Sequence, residues 1–441
     1  MKKTLLTICL VWMCFSLSAQ KIIDLSGKWS FSIDRQDNGE KEKWFSHTLN
    51  DFINLPGSMP EKLKGDEVTA KTQWTGSLYD SSYYYNPYME KYRKEGNIKF
   101  PFFLTPDKHY VGAAWYQKEV NIPADWKGER ILLFLERPHI ETTVWVNGQK
   151  TGMQNSLCVP HQYDITRYVR PGKCTITIRV DNRIKEINVG PDSHSITDQT
   201  QGNWNGIVGR ICLQTTPKTY FDDIQIYPEP EQKLARVKVV IKGTGTAKVK
   251  LSAESFNTDK KHIVPAIQQE IKLNKGVTET EMVLPMGNDM LLWDEFHPAL
   301  YKLKAEVTNG KKTEIKEIQF GMRRFEIKGK WFYVNGRKTQ LRGTVENCDF
   351  PLTGYAPMDV ESWERVFRIC RSYGLNHMRF HSFCPPEAAF MAADRVGFYL
   401  QPEGPSWPNH GPKLGLGQPI DKYLMDETIA LTKEYGNYAS Y

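Results

Sequence analysis

The sequence has few cysteines, no long apolar run beyond Gln20 and little excess of either charge. Six of its eight cysteines lie beyond Gln20, and no two of these six are spaced as Cys-x-x-Cys. A zinc site and a disulfide-dense scaffold are therefore not expected. Six buried free thiols are one interpretation, and a bridge between Cys158 and Cys174 is the alternative.

The charge of the chain excludes a large basic surface. Lys and Arg number 58 against 51 Asp and Glu, which gives a formal net charge of +7. Lys238 and Lys242 lie in a segment where basic residues alternate with Val237 and Val239. This alternation is typical of a solvated strand face, so the sequence predicts no nucleic-acid partner.

The first 19 residues have the pattern of a secretory signal peptide. Lys2 and Lys3 precede an apolar run from Leu5 to Leu17, and the small residues Ser18 and Ala19 follow it. The run is shorter than the roughly 20 residues that a membrane span requires. We therefore expect a soluble exported protein, periplasmic or extracellular, without a membrane span.

Two β-rich segments follow the signal. Residues 20–217 contain short alternating strands separated by Gly, Pro and Asn, with a hairpin turn at Asn147-Gly148, and this pattern favours a β-sandwich. Residues 218–322 repeat the alternation over about 100 residues, the size of an immunoglobulin-like β-sandwich. The sequence predicts two such domains, the second acting mainly as a spacer.

Strands and helices alternate after Phe325. Predicted strands at 341–345, 376–380 and 398–401 alternate with predicted helices at 360–372, 387–396 and 420–435. This is typical of parallel βα units, and a closed (β/α)8 TIM barrel takes roughly 250 residues. Residues 323–441 therefore predict an incomplete barrel of about three units, in which an uncovered sheet edge calls for a partner or for more chain.

Several segments, taken together and in order, resemble glycoside hydrolase family 2, which includes β-galactosidases, β-glucuronidases and β-mannosidases. The segments that carry the resemblance are Leu25-Ser-Gly-Lys-Trp29, Ala114-Trp-Tyr116, Val144-Trp-Val-Asn-Gly148, Asn203-Trp-Asn-Gly-Ile-Val-Gly-Arg210, Leu292-Trp-Asp-Glu-Phe-His-Pro-Ala-Leu-Tyr301, Phe320-Gly-Met-Arg-Arg-Phe325, Asn335-Gly-Arg-Lys-Thr-Gln-Leu-Arg-Gly343, Tyr373-Gly-Leu-Asn-His-Met-Arg379 and Ala393-Asp-Arg-Val-Gly-Phe-Tyr-Leu-Gln-Pro-Glu403. The resemblance implies a sugar-binding sandwich, an immunoglobulin-like module and the start of a catalytic barrel.

The resemblance also implies a retaining glycosidase with two glutamates, one the acid/base and the other the nucleophile. In the family the acid/base glutamate follows an asparagine at the end of the fourth barrel strand. The segment Glu434-Tyr-Gly-Asn437 resembles the approach to that strand. Both catalytic glutamates are thus expected beyond Tyr441, and no catalytic residue is assigned within the chain.

Candidate substrate-binding residues lie near the carboxyl ends of the predicted barrel strands, where such barrels place their sites. Alternation assigns Arg379 and His381 to the inner face of the second strand, and Glu403 follows the third strand. Glu346, with Asn347 and Asp349 in the next loop, follows the first. The candidates are Arg379, His381, Glu403, Glu346, Asn347, Asp349 and His410.

No metal or cofactor is expected. His377 and His381 lie about 13 Å apart if both are on one strand, which is too far to chelate one ion. Some family members bind magnesium through a glutamate before a histidine-glycine pair, but here Pro408 and Asn409 precede His410-Gly411. The family often has histidines where this chain has Asn347-Cys-Asp349, which leaves the substrate preference open.

Two functions are consistent with these features. One is an exported retaining β-glycosidase of carbohydrate catabolism, represented by its amino-terminal part and by itself inactive. The other is a non-catalytic carbohydrate-binding or interaction protein built on the two sandwiches. Both predict a carbohydrate partner, a β-glycoside or a glycan oligosaccharide, and assembly into a homo-oligomer remains open for the full-length form.

Overall fold

The computed structural model describes residues 20–77 and 80–441. The predicted signal peptide, residues 1–19, lies outside this part of the chain. No helix in the described part is both long enough and apolar enough to cross a membrane.

The first module is a β-sandwich of two antiparallel sheets. One sheet has the strand order β1-β13-β8-β11, with β4 also paired to β13, and the other has the order β10-β9-β12-β7-β2-β3. The strands are β1 Ile22–Asp24, β2 Gly27–Asp34, β3 Asp51–Leu55, β4 Gly57–Ser58, β5 Asp66–Glu67, β6 Lys108–His109, β7 Ala113–Ile122, β8 Arg130–His139, β9 Glu141–Val146, β10 Gln149–Gln154, β11 His161–Asp164, β12 Gly172–Asp181 and β13 Gly206–Thr216. Trp29, Tyr116 and Leu133 are buried between the sheets, because alternate residues of each strand face the partner sheet.

The second module is a further antiparallel sheet with its own core. Its strands are β14 Tyr220–Glu229, β15 Leu234–Phe256, β16 Ile263–Pro285, β17 Leu300–Asn309 and β18 Lys312–Phe320. β15 and β16 are each 23 residues long, and their pairing shifts register between Gly243 and Gly245. Each long strand therefore bends at a bulge, and its two halves pack around one apolar core.

A three-stranded antiparallel sheet leads into the last part of the chain. It consists of β19 Phe325–Lys328, β20 Trp331–Val334 and β21 Arg337–Thr339. Strands and helices then alternate as β22 Gly343–Glu346, α1 Val360–Ser372, β23 His377–Phe380, α2 Glu387–Val396, β24 Tyr399–Gln401 and α3 Pro419–Tyr435. The alternation predicted from the sequence is present, and α1 and α2 have the bounds that the sequence predicted.

Local sequence explains where these helices begin and end. The Asp359 carboxylate accepts the backbone N–H of Ser362 at 2.8 Å, which caps the first turn of α1. Gly397 adopts a left-handed conformation, with φ of 77°, at the end of α2. Such end signals are local, so they can be identified in the sequence.

Strands β22, β23 and β24 form a parallel sheet with β23 in the middle. On β23, Met378 and Phe380 are 2% and 0% exposed and pack against the helices. Trp363 and Phe367 of α1 complete that apolar layer. The opposite face of β23 carries His377 and Arg379, so the polar side of the strand is turned away from the helices.

Candidate functional site

An ion pair lies at the carboxyl ends of two neighbouring strands. Arg379 of β23 donates from Nε to Glu403 Oε1 at 2.5 Å, and Glu403 Oε2 accepts the backbone N–H of Ser382 at 2.8 Å. Glu403 lies two residues after β24, and Gln401 is in parallel register with Arg379. The side chains of Arg379 and Glu403 are 38% and 26% exposed, so the pair is open to a ligand.

The side-chain rings of His381, His194 and Trp407 lie beside this ion pair. His381 Nδ1 lies 3.0 Å from His194 Nε2 in the first module. Trp407 completes the group, with its ring 4.9 Å from that of His381 and 5.4 Å from that of His194. We call Arg379, Glu403, His381, His194 and Trp407 the mouth cluster.

The loop that carries His194 is fixed by hydrogen bonds to the segment of alternating strands and helices. His194 N–H donates to Ser382 Oγ at 2.8 Å, and Ser195 Oγ donates to the carbonyl of Ser382 at 2.7 Å. Ser193 Oγ donates to the carbonyl of Pro405 at 2.7 Å. The first module thus supplies one wall of the mouth cluster, and that wall is held in place by backbone contacts.

The loop after β24 is also in close contact with the loop of the first module that precedes His194. Trp407 N–H donates to the carbonyl of Val189 at 3.1 Å, and Ser406 Oγ donates to the same carbonyl at 3.0 Å. Gly190 has φ of 94°, and a Cβ at this position would lie 2.1 Å from the carbonyl oxygen of Trp407. Glycine is therefore required at residue 190 for these two loops to meet.

Both histidines of the mouth cluster are shifted toward the neutral form. Burial, together with the neighbouring His381, lowers the pKa of His194 to about 4. Burial and the positive charge of Arg379 lower the pKa of His381, while Glu403 opposes that shift. At neutral pH the pair is uncharged, so each ring has one donor and one acceptor nitrogen for a hydroxyl group or for its neighbour.

The structure does not bring Glu346 to the mouth cluster. In the parallel pairing of β22 with β23, Val345 is in register with Arg379, and Glu346 is in register with Phe380. Glu346 therefore lies on the helix side of the sheet, and burial raises its pKa. Its Oε1 accepts the backbone N–H of Asp349 at 3.0 Å, a contact that orders the loop after the strand.

The other candidates in that loop, Asn347 and Asp349, flank Cys348, which is buried in the apolar layer. Cys348 donates from its thiol to Gln201 Oε1 at 3.3 Å, and the Gln201 amide donates to the carbonyl of His194 at 2.9 Å. Asn347 is half-buried and Asp349 is exposed. Asn347 and Asp349 thus flank a residue that contacts the mouth cluster through Gln201. The side chain of His410 lies outside the described part of the structure.

The described residues contain no group of three or more His, Cys, Asp or Glu side chains arranged to hold a metal ion. His377 lies on the same strand face as Arg379, and a Cβ at Gly343 would lie 2.6 Å from His377 Nδ1. Burial lowers the pKa of His377. This histidine packs over the β22 glycine at the other end of the strand from the mouth cluster.

Sequence reasoning did not find His194 and Trp407. They lie in irregular loops, where no alternation indicates which way a side chain faces. One signal was present, a run of small polar residues from Asp192 to Asp198, and all of these except Ile196 are polar yet buried. A polar run that a fold buries must be paired, and the partners of Ser193, His194 and Ser195 belong to another domain.

Comparison with known proteins identifies both sandwich modules. Residues 22–217 match the model "Glycosyl hydrolases family 2, sugar binding domain", and residues 219–323 match the model "Glycosyl hydrolases family 2". A β-galactosidase of Thermoanaerobacter pseudethanolicus is 24% identical over 71% of this chain and 42% of its own length. A β-glucuronidase of Paenibacillus borealis is 23% identical over 88% of this chain and 59% of its own length.

Solved structures show the same fold. The crystal structure of a glycosyl hydrolase family 2 member from Bacteroides cellulosilyticus superposes with a TM-score of 0.69 and 20% identity, covering 95% of this chain and 51% of that one. The chain spans only 42% and 59% of the two enzymes named above.

Proposed function

Since the chain belongs to glycosyl hydrolase family 2, we propose that it is the amino-terminal part of an exported retaining β-glycosidase. Residues 323–441 then supply the first units of a TIM barrel, and the mouth cluster is one wall of its sugar site. Support comes from the three parallel βα units and from the resemblance of Glu434-Tyr-Gly-Asn437 to the approach to a fourth strand.

One observation carries this proposal: the Arg379 and Glu403 ion pair, open to solvent, at the carboxyl ends of two parallel strands. Barrel enzymes place their sites at this end of the sheet. A guanidinium donates and a carboxylate accepts, so the two groups together match the hydroxyls of a sugar. Trp407 adds an aromatic face of the kind that packs against a sugar ring.

The described carboxylates of this region do not form a catalytic pair. A retaining glycosidase needs two carboxyl groups about 5 Å apart across the anomeric carbon. Glu346 lies on the helix side of the sheet, away from Glu403. Both oxygens of Glu403 are engaged, by Arg379 and by the Ser382 backbone, which suits a positioning role.

The acid/base and the nucleophile are therefore assigned to chain beyond Tyr441, and residues 1–441 by themselves are inactive. In the complete enzyme, Arg379 and Glu403 orient the sugar hydroxyls, while the neutral His194 and His381 pair forms the side wall. The relatives named β-galactosidase and β-glucuronidase make β-galactosides and β-glucuronides the first substrates to test.

The test begins with the reading frame downstream of codon 441. An in-frame continuation that includes an Asn-Glu pair at the end of a fourth strand supports the proposal. A stop codon directly after codon 441 contradicts it and favours the non-catalytic carbohydrate-binding protein.

The second part of the test is a hydrolysis panel. The extended protein is expected to cleave at least one p-nitrophenyl β-glycoside among the galactoside, glucuronide and mannoside, and residues 1–441 none of them. Turnover by the 441-residue chain that is lost in Glu403→Gln would show that the catalytic machinery had been assigned to the wrong residues.

A further inference from the structure

Two cysteines from different modules meet in one buried core. Cys158 lies in the loop between β10 and β11 of the first module, and Cys384 lies in the loop that follows β23. Cys384 acts more strongly than any other neighbour on the ionisation of the Cys158 thiol, and its own thiol donates to the carbonyl of Pro385 at 3.5 Å. They are 0% and 3% exposed and belong to the same apolar cluster as the helices of the barrel segment.

The backbone on both sides of this contact is fixed. Arg137 of β8 donates to the carbonyl of Leu157 at 2.5 Å, to that of Cys384 at 3.3 Å and to that of Pro385 at 3.1 Å. One guanidinium therefore holds both cysteine loops. These bonds hold the backbones of the two cysteine loops next to each other.

Helix α3 also forms hydrogen bonds with the loop that carries Cys158. Glu427 Oε2 accepts the backbone N–H groups of Leu157 and Cys158, each at 3.0 Å. The Tyr435 hydroxyl donates to the carbonyl of Cys158 at 3.2 Å. The Cys158 loop is thus fastened to the barrel segment.

Cys174 and Cys348 are each engaged elsewhere, although Cys348 belongs to the same apolar cluster as Cys158 and Cys384. Cys174 lies in the core of the first sandwich, in a different apolar cluster from Cys158. Cys348 donates to Gln201. The bridge between Cys158 and Cys174 considered from the sequence is therefore not favoured, and Cys384 is the thiol next to Cys158.

We propose that Cys158 and Cys384 form a disulfide bond when the chain folds in an oxidising compartment. The two thiols lose two protons and two electrons, and a protein or small-molecule disulfide accepts them and is reduced to two thiols. The new bond joins the first sandwich to the loop that carries Ser382, and so ties together the two modules that build the mouth cluster.

The timing of this oxidation follows from burial. The neighbouring Cys384 and burial raise the pKa of the Cys158 thiol, so the reactive thiolate is scarce in the folded protein. Exchange with the oxidant therefore takes place while the two loops dock. Once formed, the bond closes a long loop, the kind that restricts the unfolded chain most in the entropic account of disulfide stabilisation.

A peptide map detects the disulfide between Cys158 and Cys384 directly. The chain is produced in a bacterial periplasm, treated with N-ethylmaleimide under denaturing conditions, digested with trypsin without reductant and analysed by mass spectrometry. Cys158 falls in the peptide 151–167 and Cys384 in the peptide 380–395, each with a single cysteine. The expected species is these two peptides joined, lighter by two hydrogen atoms than their sum and absent after reduction.

The matched control is Cys174→Ser, which should leave the joined species unchanged. Maleimide on both Cys158 and Cys384, or Cys158 joined to another cysteine, would overturn the proposal. The map requires no substitution at either cysteine, so it does not depend on a variant that folds. It also reads the bond whether or not the protein cleaves a glycoside, which keeps this proposal separable from the proposed function.

Thermal unfolding gives the second readout. Dithiothreitol should lower the unfolding temperature of the periplasmic chain by several degrees. The same reductant should leave the Cys158→Ser, Cys384→Ser double variant unchanged. An equal response of the two proteins to reductant would contradict the bond.

Discussion

Glu403, just after the short strand β24, connects two elements of the structure through a single carboxylate. One oxygen is bound to Arg379 and the other to the backbone of Ser382, so the carboxylate is held by two different elements. Ser382 itself has φ of 50°, a left-handed conformation that few non-glycine residues adopt. The chain accepts that conformation at the point where His194 and Ser195 also bind Ser382.

The sequence predicted which face of β23 carries Arg379, but it also gave Glu346 as a substrate-binding candidate, and the structure puts Glu346 on the helix side of the sheet. On β23, the apolar Met378 and Phe380 identify the helix face, so alternation orients the polar residues. On β22 the same alternation is misleading, because the polar Thr344 and Glu346 share the helix face, and the apolar Val345 lies on the face of Arg379. Which face is which then depends on the register with β23, and register is a property of the pair of strands.

Glu346→Gln tests this placement. The substitution removes a charge from a site where burial raises the pKa of the carboxyl, and glutamine can still accept the Asp349 N–H. When the pKa of a carboxyl is raised in the folded state, the folded protein becomes less stable as the pH rises above the pKa of that group in the unfolded chain, about 4.3. The variant should therefore be more stable than the parent at pH 7, measured by urea unfolding, with carbohydrate binding unchanged. A large loss of carbohydrate binding would place Glu346 at the site.

At the scale of elements, the helices were predictable and the long strands were not. Asp359 and Gly397 mark the ends of α1 and α2 in the sequence itself. In contrast, the alternation over residues 236–242 and 247–253 indicates two separate strands, but both segments belong to the single strand β15. The glycines at 243 and 245 indicate a turn when the sequence is considered locally. The strand nevertheless continues past them, because β16 pairs with β15 on both sides of the bulge.

Gly190→Ala tests the contact between the loop before His194 and the loop after β24. The new Cβ would lie 2.1 Å from the Trp407 carbonyl oxygen, at φ of 94°. We expect a loss of about 2–4 kcal/mol in the free energy of unfolding, the sum of backbone strain and overpacking. The measurement is chemical denaturation followed by tryptophan fluorescence.

The matched control is Gly276→Ala, where φ is 102° and no atom lies within 4 Å of the new Cβ. This variant introduces backbone strain but no steric clash, so its loss in the free energy of unfolding should be about 1 kcal/mol. Equal losses in the two variants would mean that the approach of Gly190 to Trp407 contributes nothing.

At the scale of the whole molecule, the mouth cluster exists only where the first module and the segment of alternating strands and helices dock. Pattern analysis of one segment at a time predicted the helices and the short strands, but it could not predict which loop of the sandwich reaches the strand ends. That information resides in paired polar groups such as Ser193 with Pro405, which are far apart in the chain. His194 and Trp407 were missed for this reason.

Docking of the two modules should weaken in acid because of His194. The folded-state pKa of about 4 lies below the unfolded value of about 6.5, so protons bind preferentially to the unfolded chain between these values. The stability that neutral His194 contributes is therefore complete above about pH 6.5 and is lost as the pH falls toward 4.

Relative to a His194→Asn variant, the parent should lose roughly 2–3 kcal/mol of unfolding free energy between pH 6.5 and 4. Urea unfolding at a series of pH values measures the difference. His47→Asn, at an exposed histidine, serves as the control and should follow the parent at every pH. Parallel curves for the parent and His194→Asn would contradict the burial of a neutral histidine at this interface.

The most direct test of the central claim, that the mouth cluster is a sugar site, is steady-state kinetics on the protein translated through codon 441 and beyond. Glu403→Gln should lower kcat/KM for the cleaved β-glycoside by about 100-fold or more, because the Arg379 guanidinium loses its fixed partner and the substrate its orientation. Glu361→Gln, on the exposed first turn of α1, should match the parent. Equal kcat/KM values for parent and Glu403→Gln would contradict the assignment.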